Sequence, residues 1–246
     1  MKDFHVHTTF SDGRSTPEEV VQAAIALGMT DLGFSDHSYT AFDTRYCLSK
    51  DRIPRYRAEI AALKEKYESQ IRILCGIEQD FWSDEPATEY DYVIGSVHYI
   101  RLGDTYIPVD EGNQILKDAA RDCFDGDIYT LIEEYFNTVA RVVQKTGANI
   151  IGHFDLISKF NETGELFDDT HPRYIAAWQA AADRLLETGV PFEINTGAIS
   201  RGYRTTPYPA APIREYLRTR GAKFLLSSDS HRATTLCFGF DQWKSF

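Results

Sequence analysis

Seven short runs rich in Val, Ile, Leu and Phe alternate with longer stretches of helical periodicity, and this rhythm constrains the fold more than any other feature. The runs are Asp3 to Thr8, Asp31 to Ser35, Ile71 to Ile77, Tyr92 to Val97, Ala148 to His153, Pro191 to Asn195 and Lys223 to Ser227. Their apolar content is that of strands buried on both faces, as in a parallel sheet. The first helical stretch opens Thr16-Pro17-Glu18-Glu19, an N-cap followed by Pro at the first helical position and Glu at the third. Val20, Ala23, Ala24 and Leu27 then keep helical spacing, and Gly28 supplies a stop. Further helices are expected from Asp51 to Glu68, Ile128 to Lys145, Pro172 to Thr188 and Ala210 to Thr219, with Gly147, Gly189 and Gly221 at helix-to-strand junctions.

Strand, helix, strand at this spacing implies right-handed βαβ units. The expectation is an α/β barrel or barrel-like sheet in a single domain over residues 1–246, since such a barrel occupies about 250 residues. A composition of 43% hydrophobic and 26% charged residues supplies a core and shows no disorder signature. Two connections depart from the rhythm. Between Ile77 and Tyr92 the chain is near the minimum for a parallel crossover. Arg101 to Asp127 is long, and a loop with a short helix over the barrel mouth is expected there.

Six of the seven histidines fall where such a barrel concentrates its chemistry. His5 and His7 lie on the first run, His37 after the second, His98 after the fourth, His153 after the fifth and His231 after the seventh. The third run ends in Gly76-Ile77-Glu78. Functional residues of α/β barrels gather at the C-terminal ends of the strands, so positions far apart in sequence converge on one cavity. Only His171 stands apart, at a helix start. Each residue alone also reads as a polar core or capping group. Six imidazoles with Asp12, Glu78 and Asp229 in one ring are costly unless cations hold them together. Mixed imidazole and carboxylate donors without thiolate suit zinc, manganese or iron. Nine candidates exceed the needs of one ion, and a shared carboxylate allows two or three.

The motifs His5-Val6-His7-Thr8, Ser35-Asp36-His37, Gly76-Ile77-Glu78, Gly95-Ser96-Val97-His98, Gly152-His153-Phe154-Asp155 and Ser228-Asp229-Ser230-His231 resemble, in order, those of the PHP (polymerase and histidinol phosphatase) family. Within it the chain is most similar to histidinol-phosphate phosphatases, through Tyr92 to His98, Asn195-Thr196, Arg201-Gly202 and Pro207-Tyr208-Pro209. The resemblance implies a distorted (βα)7 TIM-like barrel, the PHP fold, with a trinuclear metal site. One ion would take His5, His7, Glu78 and Asp229, a second would share Glu78 and add His98 and His153, and a third would take Asp12, His37 and His231. Two departures are visible. Asp12 stands where other members often carry histidine, and the segment between Glu78 and Tyr92 is short.

The implied reaction is hydrolysis of a small-molecule phosphate monoester, L-histidinol phosphate, in histidine biosynthesis. Glu78, Asp229 and His231 are the expected catalytic residues, and Arg201, Lys159 and Arg204 the expected cationic contacts to substrate. Phe81, Trp82 and Tyr99 flank metal motifs as candidate stacking residues. The alternatives are a PHP-type nuclease or phosphoesterase with another substrate, and a metal-binding module without catalysis. A formal net charge of -11 and the lack of a basic stripe disfavour nucleic acid. No apolar run approaches the ~20 residues of a membrane span. With metal motifs beginning at His5, no leader is expected and a cytoplasmic location is. The scattered Cys47, Cys75, Cys123 and Cys237 read as reduced thiols.

Overall fold

The protein is described here by a computed structural model covering residues 1–244. Its strands are β1 (Lys2–Asp3), β2 (Asp31–Phe34), β3 (Arg72–Asp80), β4 (Tyr92–Ser96), β5 (Tyr99–Leu102), β6 (Thr105–Pro108), β7 (Ile150–Ile151), β8 (Phe192–Asn195) and β9 (Phe224–Ser227). Seven of them form one parallel sheet in the order β1-β2-β3-β4-β7-β8-β9, while β5 and β6 pair as a separate antiparallel hairpin. The sheet curls until its edges meet. Val6 bridges Ser230 in parallel, with the His7 amide donating to the Ser230 carbonyl at 2.8 Å and the Ser230 amide to that of His5 at 3.0 Å. The result is a nearly closed seven-stranded barrel, as the rhythm of apolar runs predicts.

Nine α-helices are found among the described residues: α1 (Pro17–Ala26), α2 (Ile53–Lys66), α3 (Asn113–Cys123), α4 (Ile128–Val139), α5 (Val142–Thr146), α6 (Pro172–Leu186), α7 (Gly197–Ser200), α8 (Ala211–Thr219) and α9 (Phe240–Trp243). Helix α1 begins as expected, with Thr16 and Glu19 forming a reciprocal capping box. His171 caps α6, accepting from the Arg173 amide, and stacks on Tyr129. Gly147 closes α5 in the left-handed conformation that an L side chain resists. No helix of the described residues is long and apolar enough to cross a membrane.

The barrel interior is filled by Tyr92, Ile94 and Ile150 with Phe4, Leu74 and Leu225. The Tyr92 ring lies against Gly33 and Gly76, where a Cβ would collide with it, and its hydroxyl donates to the carbonyls of Phe4 and Phe34. Outside, Val20, Val21 and Ala24 of α1 join Tyr56, Ile60 and Leu63 of α2 in one apolar layer. Leu131, Ile132, Tyr135 and Phe136 of α4 meet Trp178, Ala182 and Leu185 of α6 in another. Each Val, Leu, Ile or Phe among them contributes roughly 1.5–3 kcal/mol by leaving water.

Three sequence expectations need correction. Of the run from Asp3 to Thr8 only Asp3 lies in a paired strand, β1, and the rest joins residues just beyond β2 and β9, with Val6 meeting Ser35 and Ser230 in isolated contacts. The helix expected from Ile128 to Lys145 breaks after Val139. There Arg141 Nε takes the Asn137 carbonyl and the Arg141 amide shifts to Thr138, a tighter step that ends α4. The long segment after Arg101 contains the expected helix, α3, but its start belongs to the β5–β6 hairpin, which turns at Gly103-Asp104. Between β3 and β4 no helix intervenes, as the short spacing suggests.

Candidate metal centre

Glu78 is the hub of the site because β3 runs on to Asp80 and carries it inside the barrel mouth. Its two carboxylate oxygens face different partners. Oε1 lies 3.0 Å from His153 Nε2 and 3.4 Å from His98 Nε2. Oε2 lies 2.8 Å from His37 Nδ1, 3.3 Å from His5 Nε2 and 3.6 Å from His7 Nε2. Asp229 Oδ1 is 3.3 Å from His7 Nε2 and 3.8 Å from His5 Nε2. Asp12 faces His37 Nε2 at 3.6 Å and His231 Nε2 at 3.2 Å.

All nine residues singled out in the sequence therefore converge. They fall into four overlapping sets whose donor atoms lie within 4.8 Å of one another: His7, Asp12, His37 and His231; His5, His7 and Asp229; His5, Glu78 and His153; His37, Glu78 and His98. The division differs in detail from the one the resemblance implies. His98 is grouped with His37 and His153 with His5, because Glu78 sits between both pairs.

The donor set fits cations. His5 Nε2 and both ring nitrogens of His7 are buried without a hydrogen-bond partner, and each buried polar atom left so costs about 1–3 kcal/mol. Burial, with His231 and His37 close by, pushes His7 down to about 3, so its ring is neutral and presents a lone pair. Burial opposes the charge on Glu78, yet His5, His37 and His98 around it hold its carboxyl well below the usual range. Burial likewise opposes ionisation of Asp229, which Arg201 and His5 keep ionised. Burial opposes the charge on His98 too, but Glu78 and Asp80 bring its pKa up to about 9. Absent a cation, this cluster holds protons instead.

A second layer fixes the rings. His5 Nδ1 is 2.7 Å from Glu193 Oε1, which also accepts from Ser227, while Glu193 Oε2 accepts from the His153 amide. Asp80 Oδ2 holds His98 through both its amide and its Nδ1 at 3.1 Å. Asp36 accepts from the amides of Thr8 and Ser11 and from the Thr8 hydroxyl, clamping the turn that presents Asp12. Glu193 and Asp80 were missed in the sequence. The available signal was an acid inside an apolar run, Phe192-Glu193-Ile194, where only a paired group is tolerated.

The centre opens into a cavity of about 530 Å³ whose lining includes Tyr46, Tyr99, Asp110, Lys159, Phe160 and Arg201. Arg201 donates from Nη2 to Asp229 Oδ2 at 2.9 Å and from Nη1 to the Asp229 carbonyl at 2.8 Å. This holds Asp229 in a left-handed backbone conformation, φ 46°. Lys159 reaches the cavity but is paired with Asp110 at 3.0 Å. Arg204, expected to contact substrate, turns away: its buried guanidinium donates to Ser158 and Thr206. Of the three candidate stacking aromatics only Tyr99 lines the cavity; Phe81 packs in the outer core and Trp82 Nε1 donates to the Tyr99 carbonyl.

Residues 3–197 match the PHP domain family. The chain is 29% identical over 255 residues to a Deinococcus radiodurans protein named "Probable histidinol-phosphatase", covering 97% of this chain and 89% of the relative. It is 23% identical to the histidinol-phosphatase of Bacillus subtilis, covering 98% and 97%. The solved structure of histidinol phosphate phosphatase from Lactococcus lactis, complexed with Zn, L-histidinol and phosphate, aligns with a TM-score of 0.69 and 24% identity over 94% of this chain and 86% of that one. The hisK protein of Listeria monocytogenes aligns at 0.83 with 17% identity over 99% and 100%. Both structural likenesses are likenesses of fold, and they agree with the nearly closed parallel barrel.

Proposed function

The chain belongs to the PHP domain family, and on that premise we propose that it is a metal-dependent phosphate monoester hydrolase converting L-histidinol phosphate and water to L-histidinol and phosphate. The observation that carries this reading is Glu78, one buried carboxylate whose two oxygens face two different sets of imidazoles. That is the arrangement a bridging carboxylate between two cations requires. Two or three Zn, Mn or Fe ions would be held by His5, His7, Asp12, His37, Glu78, His98, His153, Asp229 and His231. Bound there, divalent ions supply Lewis acidity toward the phosphoryl oxygens and the attacking water.

The chain's own groups orient the ester and handle the protons. Arg201 presents a guanidinium at the cavity wall beside Asp229 and His231, matched to a phosphate dianion. Lys159 adds a second cation, tempered by Asp110. Asp229 is held ionised by Arg201 and His5 against its burial, so it supplies no proton and stays a hydrogen-bond acceptor for the Arg201 guanidinium. His231, whose side chain is 22% exposed, is the most accessible imidazole of the cluster, and with two ions around Glu78 and none on the Asp12 side it is the group we assign to proton transfer toward the leaving alkoxide. Asp110 and Glu111 line the same cavity as the rings of Tyr46, Tyr99 and Phe160. That wall suits an alcohol carrying an ammonium and an imidazole.

A phosphate-release panel tests the reading. With metal-loaded protein, L-histidinol phosphate should exceed p-nitrophenyl phosphate and sugar phosphates in kcat/KM by about 10²-fold or more, a margin reachable through buried polar recognition. Equal, slow turnover of every ester would refute the substrate assignment.

A further inference from the structure

The mouth of the site has a second arm. Beside the Asp12–His231 edge lies a groove of about 460 Å³ that shares Asp12, Arg201, Tyr203 and His231 with the main cavity and adds Arg14 and Arg232. The two loops carrying these arginines are tied together. The Arg14 amide donates to the His231 carbonyl at 2.8 Å, and the Ala233 amide to Ser15 Oγ at 3.1 Å.

The chain has 17 arginines, and nearly all of their side chains are engaged. Arg45, Arg57, Arg121, Arg173 and Arg218, for example, form salt bridges with carboxylates. Arg14, Arg55 and Arg232 alone have no hydrogen-bonded or salt-bridged side chain among the described residues. Two of these three open on the same groove. In a protein of net charge -11, exposed arginines have acidic partners at hand, so two left unpaired next to a third mark a place kept for an outside anion. The one carboxylate in the groove, Asp12, is engaged by His37 and His231.

We propose that this groove is a second anion subsite, which takes a second phosphate, or a dianion of like chemistry, carried on the same small ester as the phosphate held at the metal centre. The inference rests on the phosphoesterase reading above. It extends the substrate class to compact bisphosphorylated esters, bound with one phosphate at the Glu78 centre and the other between Arg14 and Arg232. Neither arginine belongs to the candidate metal set, so the two phosphate positions are separable by mutation.

Calorimetric titration of the metal-loaded protein with trimethylene bisphosphonate and with propylphosphonate, neither of them hydrolysable, tests it. In the wild type the bisphosphonate should bind at least ~10-fold more tightly than the monophosphonate, as expected of added guanidinium–oxyanion pairs. An Arg14→Ala/Arg232→Ala double variant should reduce that advantage to about twofold or less while leaving the propylphosphonate affinity unchanged. Arg55→Ala, which removes an equally unpaired arginine outside the groove, should retain the advantage in full. Equal affinity of the two probes for the wild type, or an undiminished advantage in the double variant, would overturn the subsite alone. Failure of the wild type to bind either probe would overturn the phosphoesterase reading and the subsite with it.

Discussion

His5 Nδ1 lies 2.7 Å from Glu193 Oε1, and Nε2 of the same ring points unpaired toward Glu78 and Asp229. With a proton on Nδ1 shared with this carboxylate, Nε2 is the nitrogen that can turn its lone pair to a cation. Glu193→Gln keeps the shape and weakens that orientation. Metal affinity, measured by competition with a chromophoric chelator, should fall by roughly 10–100-fold. Unchanged affinity would show that His5 needs no orienting partner.

Gly13 is required for a different reason. A Cβ there would lie 2.6 Å from the His7 carbonyl group and the Thr8 amide nitrogen, backbone atoms that cannot step aside. Gly13→Ala should therefore lift the turn bearing Asp12, at a stability cost of about 1–3 kcal/mol. Elemental analysis should show loss of the ion assigned to Asp12, His37 and His231 with the ions around Glu78 retained. A full metal complement in this variant would separate the turn from the third site.

Asp3 gives a pH signature with a definite sign. Burial raises its pKa from 3.8 to about 6, against the opposing hydrogen bonds from Ser228, Cys237 and His5. The folded state thus holds this proton more tightly than the unfolded chain. The resulting stabilisation, on the order of 3 kcal/mol, is complete below the unfolded pKa and is lost as pH rises through the folded one. Asp3→Asn removes this term. The Tm of the variant minus that of the wild type, both metal-free, should increase from about pH 4 to about pH 7. A difference that stays flat over that range contradicts the assignment.

The thiols should divide by environment. Burial pushes Cys75 and Cys237 up to about 12, whereas Cys123 is exposed. Because the thiolate is the reactive form, iodoacetamide at about pH 8 should modify Cys123 and spare Cys75 and Cys237 until the protein unfolds. Peptide mass mapping reads the result, and early modification of Cys75 would contradict it.

The barrel and its ring of histidines were legible because both rest on local pattern. Apolar runs of strand length recur at βαβ spacing, and a residue at the end of a parallel strand must face the mouth. Side-chain direction after a strand is not local in this sense. Arg201 and Arg204 stand three residues apart in one loop, yet the first reaches Asp229 and the second the Ser158 carbonyl. The partners that orient the rings were hidden for a related reason: Glu193 meets His5 only because β8 and the chain after β1 come together as the barrel closes. The β5–β6 hairpin did carry a readable sign, two β-rich tetrapeptides around Gly103-Asp104, which the length of the surrounding segment obscured.

The central claim is that Glu78 joins two cations in a phosphate-releasing site. Phosphate release from L-histidinol phosphate, measured alongside metal content in the wild type and Glu78→Gln, tests it most directly. The wild type should carry two or three divalent ions and turn over, while Glu78→Gln should lose at least ~10³-fold in kcat, the scale of a missing catalytic charge. A Glu78→Gln protein that keeps its full metal complement and wild-type kcat would contradict the account.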